Sequence, residues 1–241
     1  MPDFRSDLYN QYVSKFKKED SQLHGKGLQA YWDWCSYKYL PFLKELKAAD
    51  NILELGCGPG YLLEFLKNSG FINVRGIDIS EEQLQIARNK GLGVKKADAI
   101  DYLQQNKEFF QAIIAIDFIE HFTKEEALRL SQLLYNSLET NGILIIQTPN
   151  GQGLFSNQVI YGDLTHLTIF TPESLKQLLS LSGFSDFRFQ ETGPVGKNLY
   201  GKIRLVLWKV IKKIVSGIRK IETGKSQDIW TENFICYCRK L

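Results

Sequence analysis

Glycines at positions 56, 58 and 60 follow the apolar run Ile52-Leu53-Glu54-Leu55, with Cys57 between the first two, and a helical pattern opens at Tyr61. Glycine lets a backbone turn sharply and approach a ligand closely, and the N-terminus of the helix behind it lies near that ligand. Glu54 sits on the strand that feeds the loop. A second run, Val74-Arg75-Gly76-Ile77-Asp78-Ile79, ends in a carboxylate suited to accept both hydroxyls of a ribose. Asp98 and Ala99 follow a third run, and Asp117-Phe118-Ile119-Glu120-His121 follows a fourth. The chain has 3 histidines. Imidazole titrates near neutrality and can take a proton from a reacting group. His121 follows the fourth run and His166 lies in the loop after the fifth, whereas His24 reads as a surface residue.

These positions need a frame. From about residue 50 to 190 short apolar runs alternate with amphipathic stretches. The runs are Asn51–Leu55, Asn73–Ile77, Gly93–Ala97, Gln111–Asp117, Gly142–Gln147 and Phe184–Gln190; helical patterns cover Tyr61–Ser69, Glu81–Lys90, Lys124–Leu138 and Pro172–Ser182. Such alternation predicts βαβ units and a parallel sheet with helices on both faces. Ser80 before Glu81 reads as a helix N-cap, and Thr171-Pro172-Glu173 as an N-cap, a first-turn proline and an early acid. Gly70, Gly91, Gly142 and Gly183 are expected as left-handed residues closing helices. Residues 1–47 read as a helical cover, 48–195 as the core, and 196–241 as a long amphipathic helix and a final strand over Ile229–Arg239. All are expected to form a single domain. In such sheets ligands bind at the carboxyl edge, where both histidines are placed.

The residues Glu54, Gly56, Gly58, Gly60, Asp78, Asp98 and Asp117, in this order, resemble the class I S-adenosylmethionine-dependent methyltransferases. The resemblance covers roughly residues 45–190. It implies an α/β, Rossmann-like, seven-stranded and mostly parallel sheet whose last strand is antiparallel. It implies S-adenosyl-L-methionine as cofactor, its amino-acid end held by Glu54, Gly56, Cys57, Gly58 and Gly60. Asp78 would bind the ribose, Ile79 would pack on the adenine, Asp98 with Ala99 would meet the adenine amino group, and Asp117 would complete the pocket.

The acceptor is a separate question. Nucleic-acid amino methyltransferases resemble one another in an acid-or-amide-Pro-Pro-aromatic motif after the fourth strand, and cytosine C5 enzymes in a Pro-Cys nucleophile. Neither stands at Asp117–His121, which disfavours nucleic-acid bases. The stretch, with Gln147–Gly151 and Gly162–Leu175, looks like the branch holding ubiquinone-pathway O-methyltransferases and polysaccharide and natural-product methyltransferases. A sugar, glycan or other small hydroxylated acceptor is expected, with His121 and His166 as catalytic residues. No metal ligand is assigned. One alternative is an RNA 2′-O- or N-methyltransferase in which Asp117, Glu120, His121 and His166 hold a divalent ion. Another is a non-catalytic partner subunit that keeps the fold.

The net charge of +3 conceals an asymmetry. Lys197, Lys202, Arg204, Lys209, Lys212, Lys213, Arg219 and Lys220 fall between Thr192 and Ile221, with no acid among them. A mildly acidic body therefore carries one basic segment, unlike a generally basic nucleic-acid binder. Within it Ile203, Leu207, Val210, Ile211, Ile214, Ile218 and Ile221 share one helical face. That face is expected to be buried on the domain or a second subunit, near the acceptor entrance; a peripheral contact with anionic lipid is the alternative. No apolar run reaches the roughly 18–20 residues of a membrane span. The N-terminus lacks a signal-like apolar stretch, and 4 scattered cysteines make no disulfide framework, so a cytoplasmic setting is expected.

Overall fold

The computed structural model of the chain describes residues 23–106 and 108–241. Helix α1 (Gly25–Lys38) and a 3-10 turn at Leu40–Phe42 precede the sheet. Then follow β1 (Ile52–Leu55), α2 (Tyr61–Asn68), β2 (Val74–Asp78), α3 (Glu81–Asn89), β3 (Val94–Lys96), α4 (Ala99–Gln105) and β4 (Phe110–Ile116). A 3-10 turn at Ile119–His121 leads to α5 (Lys124–Ser137), β5 (Leu138–Pro149), α6 (Asn157–Tyr161), α7 (Pro172–Leu181), β6 (Phe184–Glu191), α8 (Leu199–Thr223) and β7 (Asn233–Lys240). Of the expected helical cover, residues 1–22 lie outside the described residues.

The strands form one seven-stranded sheet in the order β3-β2-β1-β4-β5-β7-β6. β1, β2, β3, β4 and β5 pair in parallel, while β7 runs antiparallel between β5 and β6. Side chains alternate across the inner strands, so both faces are buried. Ala112, Ile114, Ile143 and Ile145 pack under α1, α2 and α3 with Cys35, Leu62, Leu66 and Leu84. Ile113, Ala115, Leu144 and Ile146 pack under α4, α5 and α7 with Leu103, Leu130, Leu134 and Leu179.

Local chemistry sets the helix starts. Ser80 Oγ accepts from Gln83 N, and Thr171 forms a reciprocal capping box with Ser174 behind Pro172. Gly70, Gly91 and Gly183 have the expected positive φ, but Gly142 does not. There α5 stops at Ser137 and the chain passes directly into β5, with Asn141 at φ 65° making the turn. Gly142 is instead the residue whose Cβ would come 2.7 Å from the Glu139 carbonyl. The last strand also begins later than Ile229. Trp230 N donates to Glu191 Oε1 at 2.8 Å and Leu154 N donates to Trp230 O, which hold residues 229–231 off the ladder.

Helix α1 lies over the carboxyl edge and is tied down at both sides. Trp32 Nε1 donates to Tyr61 O at 3.1 Å, while Trp34 Nε1 and Lys38 Nζ donate to Thr192 O and Glu191 O. His24, at the N-cap of α1, is exposed as expected.

Candidate functional site

The turn after β1 is made by three left-handed glycines, with φ of 67° at Gly56, 50° at Gly58 and 76° at Gly60. A Cβ on Gly56 would lie 2.7 Å from the Phe118 ring, so the loop can pass that ring only without a side chain. The loop is pinned to β2. Cys57 N donates to Ile77 O at 3.0 Å and Gly58 N to Asp78 Oδ2 at 2.9 Å. Ser80 N donates to Asp78 Oδ1 at 2.8 Å, so two backbone amides fix the orientation of this carboxylate.

A cavity of about 710 Å³ opens at this edge, within the range of small-molecule sites. Glu54, Gly56, Cys57, Gly58, Asp78, Ile79, Asp98, Ala99, Asp117, His121 and His166 all line it. Gly60 does not: it is the left-handed N-cap of α2, and its Cβ would strike Leu92 and Ala87, so its role is packing against α3 and the turn before β3. Asp98 serves two purposes, since one carboxylate oxygen accepts from Asp101 N at 3.0 Å and caps α4. Glu54 is almost fully buried, and its Oε2 has no hydrogen-bond partner. Burial, with a smaller contribution from the Asp78 charge, pushes its carboxyl well above the usual carboxylate range. Burial drives the Cys57 thiol far up as well, so it is no nucleophile.

At the far side of the cavity two segments meet. Leu167 N and Thr168 N both donate to Glu120 O, fastening the loop after α6 to the 3-10 turn after β4. Glu120, His121 and His166 thereby bring one carboxylate oxygen and two ring nitrogens within 4.8 Å of one another. Glu120 Oε2 accepts from Thr148 Oγ1 at 3.0 Å, whereas Oε1 is buried with no hydrogen-bond partner and lies 4.0 Å from His166 Nε2. His166 Nδ1 is 3.1 Å from Ile160 O, a contact that suits a proton on Nδ1 and turns Nε2 toward Glu120. His121 Nδ1 faces Thr165 O and Thr165 Oγ1, and that hydroxyl donates to Asp163 Oδ1. Burial raises the Glu120 carboxyl, aided by the Asp117 charge, and burial with the nearby His166 lowers His121.

The Asp117 carboxylate lies outside this group of ligand atoms, though its charge reaches Glu120. The same carboxylate takes both bonds of the Gln147 amide, at 3.1 and 3.3 Å, and Tyr39 holds the other end of Gln147. The four-residue metal pattern of the sequence is therefore three residues in space. Tyr31, Gln83, Glu126 and Asp163 also line the cavity and had gone unassigned. Asp163, three residues before His166 in the same loop, was within reach of the sequence; Tyr31 reaches the wall from α1 and carries no local signal. Helix α8 contributes no residue to the wall, although it leaves and rejoins the sheet at the same carboxyl edge.

A family model described as a methyltransferase domain matches residues 30–187. The mitochondrial ubiquinone biosynthesis O-methyltransferase of Rattus norvegicus is 30% identical over 154 residues, 56% of this chain and 44% of that protein. The probable tRNA methyltransferase 9B of Mus musculus is 33% identical over 106 residues, 44% of this chain and 23% of that protein. The chain thus spans less than half of the length of either relative. Among solved structures, a SAM-dependent methyltransferase from Archaeoglobus fulgidus superposes with a TM-score of 0.67 at 24% identity, covering 97% of this chain and 100% of the other. That likeness is one of fold.

Proposed function

From the premise that this chain belongs to the class I S-adenosylmethionine-dependent methyltransferases, we propose that it methylates a hydroxyl oxygen of a sugar, glycan or other small hydroxylated metabolite. The observation that carries this reading is that Glu120 and His166 converge on the wall of the cavity that the glycine loop and Asp78 also line. The cofactor fits the residues present. Glu54, a buried carboxylate with an unpartnered oxygen, suits an α-ammonium group, and the loop backbone leaves the space that side chains would fill. Asp78 would take the ribose hydroxyls, half-exposed Ile79 the adenine face and Asp98 its amino group.

Bound S-adenosylmethionine supplies a sulfonium-bound methyl group that leaves its pair of C–S electrons on sulfur. The protein's part is to align the acceptor oxygen in line with that bond and to remove its proton. His166 Nε2 takes the proton as the O–CH3 bond forms, and the resulting imidazolium lies 4.0 Å from Glu120 Oε1. His121, held neutral by burial, lines the same wall as the second polar contact for the acceptor. Among the described residues, Asp78, Asp98, Asp117, Glu126 and Asp163 line the cavity beside Glu54 and Glu120, with no lysine or arginine. Such a wall repels a polyanion, which favours an uncharged acceptor over RNA.

A second reading rests on the unpartnered Glu120 Oε1. Two imidazoles, each with Nδ1 turned to a carbonyl, and one carboxylate form a donor set suited to a divalent transition ion. Glu120, His121 and His166 would hold it, and it would lower the pKa of an acceptor hydroxyl.

Calorimetry with S-adenosylhomocysteine tests the cofactor half, and absence of binding by folded protein would sink it. A methyl-transfer screen over hydroxylated and amine acceptors tests the rest: transfer to nitrogen alone would overturn the choice of oxygen.

A further inference from the structure

Helix α8 is 25 residues long and has no buried residue. Trp208 Nε1 and Lys212 Nζ both donate to Glu191 Oε2, at 3.2 and 2.8 Å, and Ser216 Oγ accepts from Trp230 Nε1 at 3.2 Å. These contacts turn positions 208, 212 and 216 toward the body of the protein. At 100° per residue, Ile203, Val210, Ile214 and Ile221 then lie on the opposite side. They are 49%, 49%, 58% and 89% exposed, and Ile218 beside them is 62% exposed. Of the two burials expected for the apolar stripe, on its own domain or on a second subunit, the first does not occur, since the stripe points away from the domain. Among the described residues, no helix is long and apolar enough to cross a membrane.

We propose that α8 docks this protein on the surface of an anionic lipid bilayer, its apolar stripe in the interface and its lysines at the headgroups. The charge pattern selects this occupant. Lys202, Lys209, Lys213 and Lys220 run along one flank of the stripe and Arg204 lies on the other, and the helix has no acid before Glu222. Two copies packed stripe to stripe would set these rows of like charge side by side with no acid to pair them. An anionic surface pairs them all. A groove of about 430 Å³ between this lysine flank and the body is lined by Lys209, Lys213 and Lys220, with Asp228 the carboxylate among its described residues and Lys212 paired with Glu191, and offers several ammonium groups to one headgroup. Amphipathic helices with a charged flank and low net hydrophobicity lie in the membrane plane rather than across it. The inference is independent of the acceptor: both ends of α8 join the sheet's carboxyl edge, through Glu191 and Asn233, whatever is methylated there.

The test is co-sedimentation of the full chain with vesicles of phosphatidylcholine alone and of phosphatidylcholine mixed with phosphatidylglycerol. Expected is binding to the mixed vesicles only, lost as salt rises because surface charges are screened within about 10 Å at 0.1 M. Each basic residue near such a surface is worth about fivefold in partition, so K209Q/K213Q/K220Q should lower it on the order of 100-fold and K209E/K213E/K220E further still. Ile214→Asp should abolish it, and its position on the solvent side leaves folding and S-adenosylhomocysteine affinity at wild-type values. No sedimentation at low salt overturns the proposal, as does equal binding to neutral vesicles. Concentration-dependent dimers by light scattering, dissolved by Ile214→Asp and without vesicle binding, overturn it in favour of a second copy.

Discussion

The amide of Gly58 and the carboxylate of Asp78 are joined at 2.9 Å, so the glycine loop after β1 and the acid at the end of β2 form one rigid piece. Asp78 therefore does two things at once, holding the loop and presenting oxygens to the cavity. Asp78→Ala should weaken S-adenosylhomocysteine binding by about 10- to 100-fold, the worth of one to two hydrogen bonds to a charged group. Asp78→Asn, which keeps one acceptor oxygen, should fall between. Calorimetry reads both, and unchanged affinity in Asp78→Ala would remove this residue from the cofactor site.

Glu54 and Glu120 make stability depend on pH. Both carboxyls are raised, first by burial, so the folded state keeps protons that the unfolded chain releases above the ordinary value of 4.5. Stability of the cofactor-free protein should accordingly fall as pH rises from about 4.5 through the raised values. Glu54→Gln and Glu120→Gln should each flatten that slope and raise the melting temperature at neutral pH. Thermal melts across pH check this; a slope unchanged in both variants would contradict it.

Cofactor binding should release a proton. A raised Glu54 must ionise to meet an ammonium group, so S-adenosylhomocysteine affinity should increase with pH over the range in which Glu54 titrates. Calorimetry in two buffers of different ionisation enthalpy measures the proton count. Glu54→Gln should bind more weakly and release none, and equal release by wild type and variant would assign the proton elsewhere.

His166→Ala should lower turnover by about 10²-fold or more while cofactor affinity stays near normal. If His121 takes the proton instead, the acid limb of the rate profile should lie below the ordinary histidine value, because burial lowers that imidazole. Activity abolished by a chelator and restored by a divalent ion would promote the metal reading over the base.

Much of this was legible before folding was considered. The strands of the inner sheet announce themselves because both faces are buried, so their apolar runs are continuous. The glycine loop and Asp78 are legible because positive φ and a strand-end acid leave few residue types acceptable. What the sequence withheld is three-dimensional. Spacing could not tell Gly60, which packs on Leu92, from Gly56, which faces the cavity. Ala99–Gln105 is too short for helical periodicity to register, although Asp98 caps it. The apolar face of α8 was readable, but not its direction, which is set by Glu191 some twenty residues away drawing in Trp208 and Lys212.

The position of β7 bears on how the chain is synthesised. It is last of the seven strands along the chain yet sits between β5 and β6, so β6 leaves the ribosome with no neighbour to pair with. On the order of seconds of elongation separate Glu191 from Lys240 at ordinary translation rates. During that interval β5 presents an open edge, β6 is unattached and the apolar stripe of α8 is already exposed. The half of the sheet from β3 to β5 can assemble as it emerges, while β6 must wait for the strand that follows it. Chaperone occupancy on nascent chains should peak in that window and fall once β7 closes the sheet.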